Sequence, residues 1–123
     1  MAGYAEEVLT RMVAPYNVTA RPAVAAHVLR MMRGAPAEGA AAALRGRAER
    51  PDYTGMLPRV SVPTLVVVGA DDTFTPVGDA RLIQERVPGA VLEVISGAAH
   101  LPNLERPAEF NAALARFLDA LPC

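Results

Sequence analysis

The chain has 123 residues, a formal net charge of −1 and a composition that is 52% apolar and 20% charged. That length fits one domain with a modest core, the apolar share excludes a disordered chain, and the near-neutral charge excludes a basic footprint for nucleic acid or anionic lipid. A single cysteine, Cys123, excludes an internal disulfide and a thiolate zinc site and is expected to be a free thiol.

Up to Pro58 the apolar residues recur at helical spacing. Val8, Leu9, Met12 and Val13 share one face of a first helix that is expected to stop near Pro15. Val24, Val28, Met31 and Met32 form the stripe of a second, with Pro22 in its first turn and Gly34 as its stop. A third, alanine-rich helix runs from about Pro36 to Glu49, with Leu44 and Ala48 expected to face inward. Pro51 ends it, and Asp52 is placed to cap a short turn.

After Pro58 the pattern changes. Thr64-Leu65-Val66-Val67-Val68 and Val91-Leu92-Glu93-Val94-Ile95 read as strands buried on both faces, the signature of a parallel sheet. Between them Val77, Ala80, Ile83 and Val87 mark a helix that begins after Pro76, and Pro88-Gly89 is a turn. Phe110, Leu114, Phe117, Leu118 and Leu121 fall on one face of a last helix with Pro107 in its first turn. The expected architecture is α/β, with a helical segment over residues 1–58 and a β-α-β-α unit with two parallel strands over residues 59–123. Two strands are too few for an independent sheet, and one of them must present an open edge. A partner is therefore expected, either a polypeptide that supplies further strands or a second copy forming a homo-oligomer.

In open parallel sheets, functional groups gather beyond the carboxyl ends of the strands. Asp72 and His100 each lie a few residues past such an end and so share one rim. A carboxylate that accepts from the imidazole Nδ1–H fixes the tautomer, leaves Nε2 free as a base and stabilises the imidazolium formed in the reaction.

The residues around this pair carry a resemblance. The run from Val62-Pro63-Thr64 through Gly69-Ala70-Asp71-Asp72-Thr73-Phe74-Thr75-Pro76 resembles the acid strand and loop of the α/β-hydrolase superfamily. Gly97-Ala98-Ala99-His100-Leu101-Pro102-Asn103-Leu104-Glu105-Arg106-Pro107 resembles its histidine loop, with the His-x-x-x-x-Glu-x-Pro spacing met by His100, Glu105 and Pro107. The helices before Pro58 resemble the family's lid, and Ala48-Glu49-Arg50-Pro51-Asp52-Tyr53 is similar to the 3-oxoadipate enol-lactonase and cofactor-free haloperoxidase-like branch. The resemblance implies a partial α/β-hydrolase fold, with Asp72 and His100 as acid and base of a Ser-His-Asp triad, no cofactor and no metal. The family spacing favours Asp72 over Asp71, which is left to shape the turn. Ala99, where the family often has glycine, puts the local turn geometry in question.

No Gly-x-Ser-x-Gly occurs in the 123 residues. A full member of the family would carry about 120 to 150 further residues in front, with the nucleophile elbow and the oxyanion-hole amides. Of the two serines, Ser61 lies at the wrong end of the sheet and Ser96 lacks an elbow and oxyanion donors. Phe74, Met31, Met32 and Leu101 are candidates to line a pocket beneath the lid, with plain packing as the alternative. His27 is expected as an exposed helix residue, and Glu105 as a cap of the last helix.

Three functional readings follow. In the first, the chain supplies lid, acid and base of an ester or lactone hydrolase whose nucleophile lies elsewhere, and it is inactive alone. In the second, it is a non-catalytic association module that dimerises through the open edge; in the third, it is a gene fragment. No apolar stretch approaches spanning length, and the first twenty residues lack a signal core, so the default location is cytoplasmic without membrane or nucleic-acid partners.

Overall fold

The structure, a computed structural model, describes residues 1–122; Cys123 lies outside the described residues. Four helices come first: α1 (Ala2–Met12), α2 (Pro15–Ala20), α3 (Pro22–Gly34) and α4 (Ala37–Glu49). Prolines punctuate them. Pro15 and Pro22 occupy the first turns of α2 and α3, where a missing N–H costs nothing, and Pro36 precedes α4. Pro15 therefore begins a short helix as well as ending the stretch before it. α1, α2 and α3 pack together around Ala5, Val8, Val13, Ala14, Ala25 and Val28.

Two expectations about these helices need correction. Met31 is 50% exposed, because it falls outside the strip of α3 that α1 and α2 cover, whereas Val28 is fully buried. α4 buries no residue at all; Leu44 is 47% exposed and Ala48 is exposed, since no other element in the chain covers that side. Gly34 ends α3 without a left-handed turn. Ala35 leaves in an extended conformation because Pro36 follows it, and a residue before proline avoids the helical region.

A 3-10 helix (Thr54–Arg59) joins the helical part to the sheet and packs against the helix between the strands. Asp52 opens it as expected. Its Oδ1 accepts from the hydroxyl and the N–H of Thr54, and these bonds hold its carboxyl below the usual range.

The sheet has two parallel strands, β1 (Leu65–Gly69) and β2 (Val91–Ile95), in register from Leu65 opposite Val91 to Gly69 opposite Ile95. α5 (Val77–Arg86) connects them and buries Ala80, with Val87 buried just beyond its end. The short α6 (Pro102–Glu105) and the long α7 (Pro107–Asp119) follow. Both α5 and α7 pack on the strands.

Neither strand is buried on both faces. Only Val68, Gly69 and Ile95 are fully buried, while Val91 and Val94 are exposed. The physical reason is the size of the sheet: two strands cannot shield both of their faces and both of their edges. α7 is also rotated from the expected stripe. It buries Ala113 with Phe110 and Phe117 half-buried beside it, and leaves Leu114 and Leu118 in solvent. The core is thus made of valines, alanines and one isoleucine, and the larger apolar side chains are otherwise half-buried or exposed. No helix is long and apolar enough to cross a membrane among the described residues.

Candidate active site

Because Gly69 and Ile95 are in register, the loops after β1 and β2 leave from the same end of the sheet. Asp72 stands three residues beyond the first strand and His100 five beyond the second. His100 Nδ1 lies 2.9 Å from Asp72 Oδ2. The acid is anchored independently of the histidine. Asp72 Oδ1 accepts from the N–H groups of Phe74 (2.9 Å) and Thr75 (3.0 Å), and Oδ2 also accepts from the Thr75 hydroxyl (2.9 Å). These bonds are the loop's own turn chemistry: an aspartate side chain substitutes for backbone partners two and three residues on. Asp72 is buried, whereas the His100 side chain is one-third exposed, so Nδ1 faces the protein and the opposite edge of the ring faces outward.

Burial pushes the Asp72 carboxyl up, but the hydrogen bonds from Thr75 and His100, with the imidazole charge, outweigh it and hold the group below its usual range. Folding therefore favours the ionised acid. Its contribution to stability is present above the unfolded carboxylate value of about 3.9 and is lost as pH falls through the lower folded value. The urea midpoint is expected to drop below about pH 4, and Asp72→Asn is expected to flatten that drop. A parallel decline in wild type and variant would show that other carboxylates carry it.

The two loops interlock through backbone. Ala70 N–H donates to Ile95 O (2.9 Å) and Asp71 N–H to Ala98 O (3.0 Å). Gly97 takes a φ of 73° in the turn after β2, in the left-handed region that favours glycine. Ala99 fits this loop without such a conformation, since no described residue other than glycine has a positive φ. The turn geometry that its presence put in question is intact, and its N–H donates to Glu105 Oε2 at 2.8 Å.

Glu105 is the residue that sequence reasoning misread. It makes no cap bond to α7; the cap position is Arg106, and Pro107 removes one of the N–H groups that would need a cap. Its side chain turns inward, is fully buried, and accepts from Ala14 N–H (2.7 Å), the Asn17 amide (3.0 Å) and Ala99 N–H (2.8 Å). The only signal in the sequence was its spacing from His100.

Groups of α1 and α2 also reach the loop after β1. The Arg11 guanidinium lies 3.9 Å from the centre of the Phe74 ring and donates to Thr73 Oγ1, and Phe74 in turn meets His100 edge-on with ring centres 5.0 Å apart. Tyr16 donates its hydroxyl to Asp71 Oδ2; burial, that bond and the nearby negative charges push the phenol up to about 12. Asp71 thus ties the start of α2 to the loop after β1, and its side chain makes no hydrogen bond to His100.

A groove of about 330 Å³ runs along the unpaired edge of β1 and ends at the pair; Val66, Val67 and Val68 line it together with Ile83, Asp72 and His100. Of the residues expected in a pocket, Phe74 touches His100, while Met31, Met32 and Leu101 do not line this groove. A hollow of about 490 Å³ lies between the end of α4, the 3-10 helix and α5, away from the pair. His27 is exposed on α3, and Ser96 lines a separate hollow with Glu93 and Arg116. No group of three metal-ligating side chains occurs among the described residues.

No protein-family model matches the chain. It is 33% identical over 110 residues to 3-oxoadipate enol-lactonase 2 of Acinetobacter baylyi, a match that covers 89% of this chain and 40% of that protein. It superposes on a thermophilic esterase from Thermogutta terrifontis with a TM-score of 0.90 and 37% identity, covering 95% of this chain and 43% of the esterase. The chain belongs to the α/β-hydrolase superfamily. Within the α/β-hydrolases it corresponds to the C-terminal part of the fold and spans about two-fifths of the relatives' length. The enol-lactonase from Burkholderia xenovorans shows the same partial coverage, 97% of this chain against 45% of its own, at a TM-score of 0.87 and 25% identity.

Proposed function

We propose that this chain supplies the cap, the acid and the base of an enol-lactonase-like ester or lactone hydrolase, with the nucleophile and the oxyanion donors provided by residues outside these 123. Residues 1–58 form the cap, and residues 59–123 form the back part of the core. The observation that carries the reading is the 2.9 Å contact between His100 Nδ1 and the separately anchored Asp72 Oδ2, beside an open groove. In the reaction, His100 Nε2 takes the proton of a serine hydroxyl as its oxygen bonds to the carbonyl carbon. The leaving alkoxide receives that proton as the acyl-oxygen bond breaks. His100 then deprotonates the water that releases the acyl group. Asp72 holds the tautomer throughout and stabilises the imidazolium without taking its proton.

The chain alone is expected to show no ester hydrolysis above background, because oxyanion stabilisation and a nucleophile together account for most of the rate enhancement in such sites. Mixing it with a polypeptide that carries the Gly-x-Ser-x-Gly part of a relative is expected to give a complex with p-nitrophenyl esterase activity. His100→Ala is expected to remove about 10³-fold or more of that activity. Neither complex nor activity on mixing, with both halves folded, would count against the proposal.

The unpaired edge of β1 and the exposed Leu114 and Leu118 favour one second reading, a module that associates with itself. A monomeric mass by light scattering at micromolar concentration would exclude it. A dimer whose assembly ignores Asp72→Asn and His100→Ala would support it.

A further inference from the structure

Glu105 divides its two carboxylate oxygens between two parts of the chain. Oε1 accepts from Ala14 N–H at 2.7 Å and from the Asn17 side-chain amide at 3.0 Å, both at the junction of α1 and α2. Oε2 accepts from Ala99 N–H at 2.8 Å and, more weakly, from Leu101 N–H at 3.4 Å. Ala99 and Leu101 are the two neighbours of His100. The Asn17 amide also donates to Gly97 O at 2.8 Å, and Arg106 Nε reaches the same carbonyl at 3.1 Å. Glu105 is fully buried and Asn17 nearly so, and no buried side-chain polar atom among the described residues lacks a partner. One carboxylate and one amide thus hold the histidine loop at three of its backbone positions.

An imidazole has only two side-chain torsions. Once the backbone on both sides is held, the direction of Nε2 depends on those torsions alone, and Asp72 and the Phe74 ring restrict them. We infer that Glu105 is a positioning residue for His100, coupling the α1–α2 junction of the cap to the orientation of the imidazole. The inference rests on the reading of Asp72 and His100 as the catalytic pair. A displacement of α2 pulls on Oε1, and the rigid carboxylate passes it to the backbone beside the histidine. Neither the cap nor the core holds the loop in this way alone.

The test is nitrogen-15 NMR of the histidine side chains in the intact chain, with amide exchange at Ala14 and Ala99. His27, exposed on α3 and the only other histidine, is the internal control. Three variants are compared with wild type. Asp72→Asn is expected to move the His100 Nδ1 shift, which checks the pair itself. Glu105→Gln puts an amide donor where one acceptor stood. It is expected to move the same His100 signals, and to raise exchange at Ala99 by roughly tenfold or more while distant amides keep their protection. Asn17→Ala leaves the Glu105 contacts to the histidine loop in place and is expected to shift the His100 signals in the same direction by less. If Glu105→Gln does not fold, Glu105→Asp, which keeps the charge and shortens its reach to both segments, is read in its place. Wild-type His100 signals in folded Glu105→Gln and Asn17→Ala, beside a clear response to Asp72→Asn, would overturn the positioning role and leave Glu105 a stability residue. Unchanged signals in Asp72→Asn would overturn the pair, and this inference with it.

Discussion

Gly69→Ala is expected to destabilise the chain by about 3 kcal/mol or more, far beyond what one methyl group costs at a surface. A Cβ at this position would stand 2.0 Å from Ala99 O, 2.5 Å from Ala98 O and 2.8 Å from Ala98 C, all of them backbone atoms. Backbone cannot rotate out of the way as a side chain can. The Ala98 carbonyl is engaged by Asp71 N–H, and Ala99 N–H is engaged by Glu105, so relief requires the acid loop and the histidine loop to part. Parting them breaks the register that brings Asp72 to His100. The loss is therefore expected in two measurements: a lower urea midpoint, and a His100 nitrogen-15 signal like that of Asp72→Asn. Gly78→Ala is the control. It lies in α5 with nothing within 4 Å of a new Cβ and is expected to be neutral or to stabilise by up to about 1 kcal/mol. Equal midpoints for the two variants would refute the close-approach argument.

The second large effect is expected for Glu105→Leu. Leucine fills much of the same volume but accepts nothing, so the buried N–H groups of Ala14 and Ala99 and the amide of Asn17 lose an acceptor with no water to replace it. At about 1–3 kcal/mol for each unsatisfied buried donor, a total near 4 kcal/mol is expected. A domain of this size has about 5–15 kcal/mol in all, so the variant is expected to be largely unfolded in mild denaturant. Glu85→Leu, at an exposed position on α5, is expected to change stability by no more than about 0.5 kcal/mol. Comparable losses in the two variants would mean that the buried bonds contribute no more than surface polarity.

The exposed apolar residues connect stability to function. Val91, Val94, Leu114 and Leu118 lie on the sheet and on α7, and the groove along β1 exposes the edge from Val66 to Val68. In the Thermogutta terrifontis esterase, matched over 95% of this chain, more than half of the molecule lies outside the matched part. Contiguous apolar surface of this kind is characteristic of faces that pack against further polypeptide.

Local sequence was enough for much of this. Prolines lack an N–H, so Pro15, Pro22 and Pro36 each mark a helix boundary, and only the short helix that Pro15 begins was not legible. The β-branched runs at Thr64–Val68 and Val91–Ile95 specify strands, and the helical spacing of Val77, Ala80 and Val87 between them specifies a parallel connection. From that topology alone Asp72 and His100 share one rim, and the 2.9 Å contact follows from loops leaving the same end of one sheet. Where the sequence misled, the fault lay in assuming that every apolar stripe finds a cover. Leu44, Met31, Leu114 and Leu118 stand at helical spacing but outside what this chain can cover with its own elements.

The sequence by itself determined the order of the elements, the parallel pairing and the rim on which acid and base stand, because these follow from backbone preferences and short-range periodicity. Only the tertiary structure decided what holds that rim together: Gly69 pressed against the Ala98–Ala99 carbonyls, and Glu105 tying the histidine loop to Ala14, a residue 91 positions away. Contacts of that range leave no periodic trace in the chain. A buried carboxylate with four donors and an exposed one beside a helix have the same letter, and only the fold brings the donors to it.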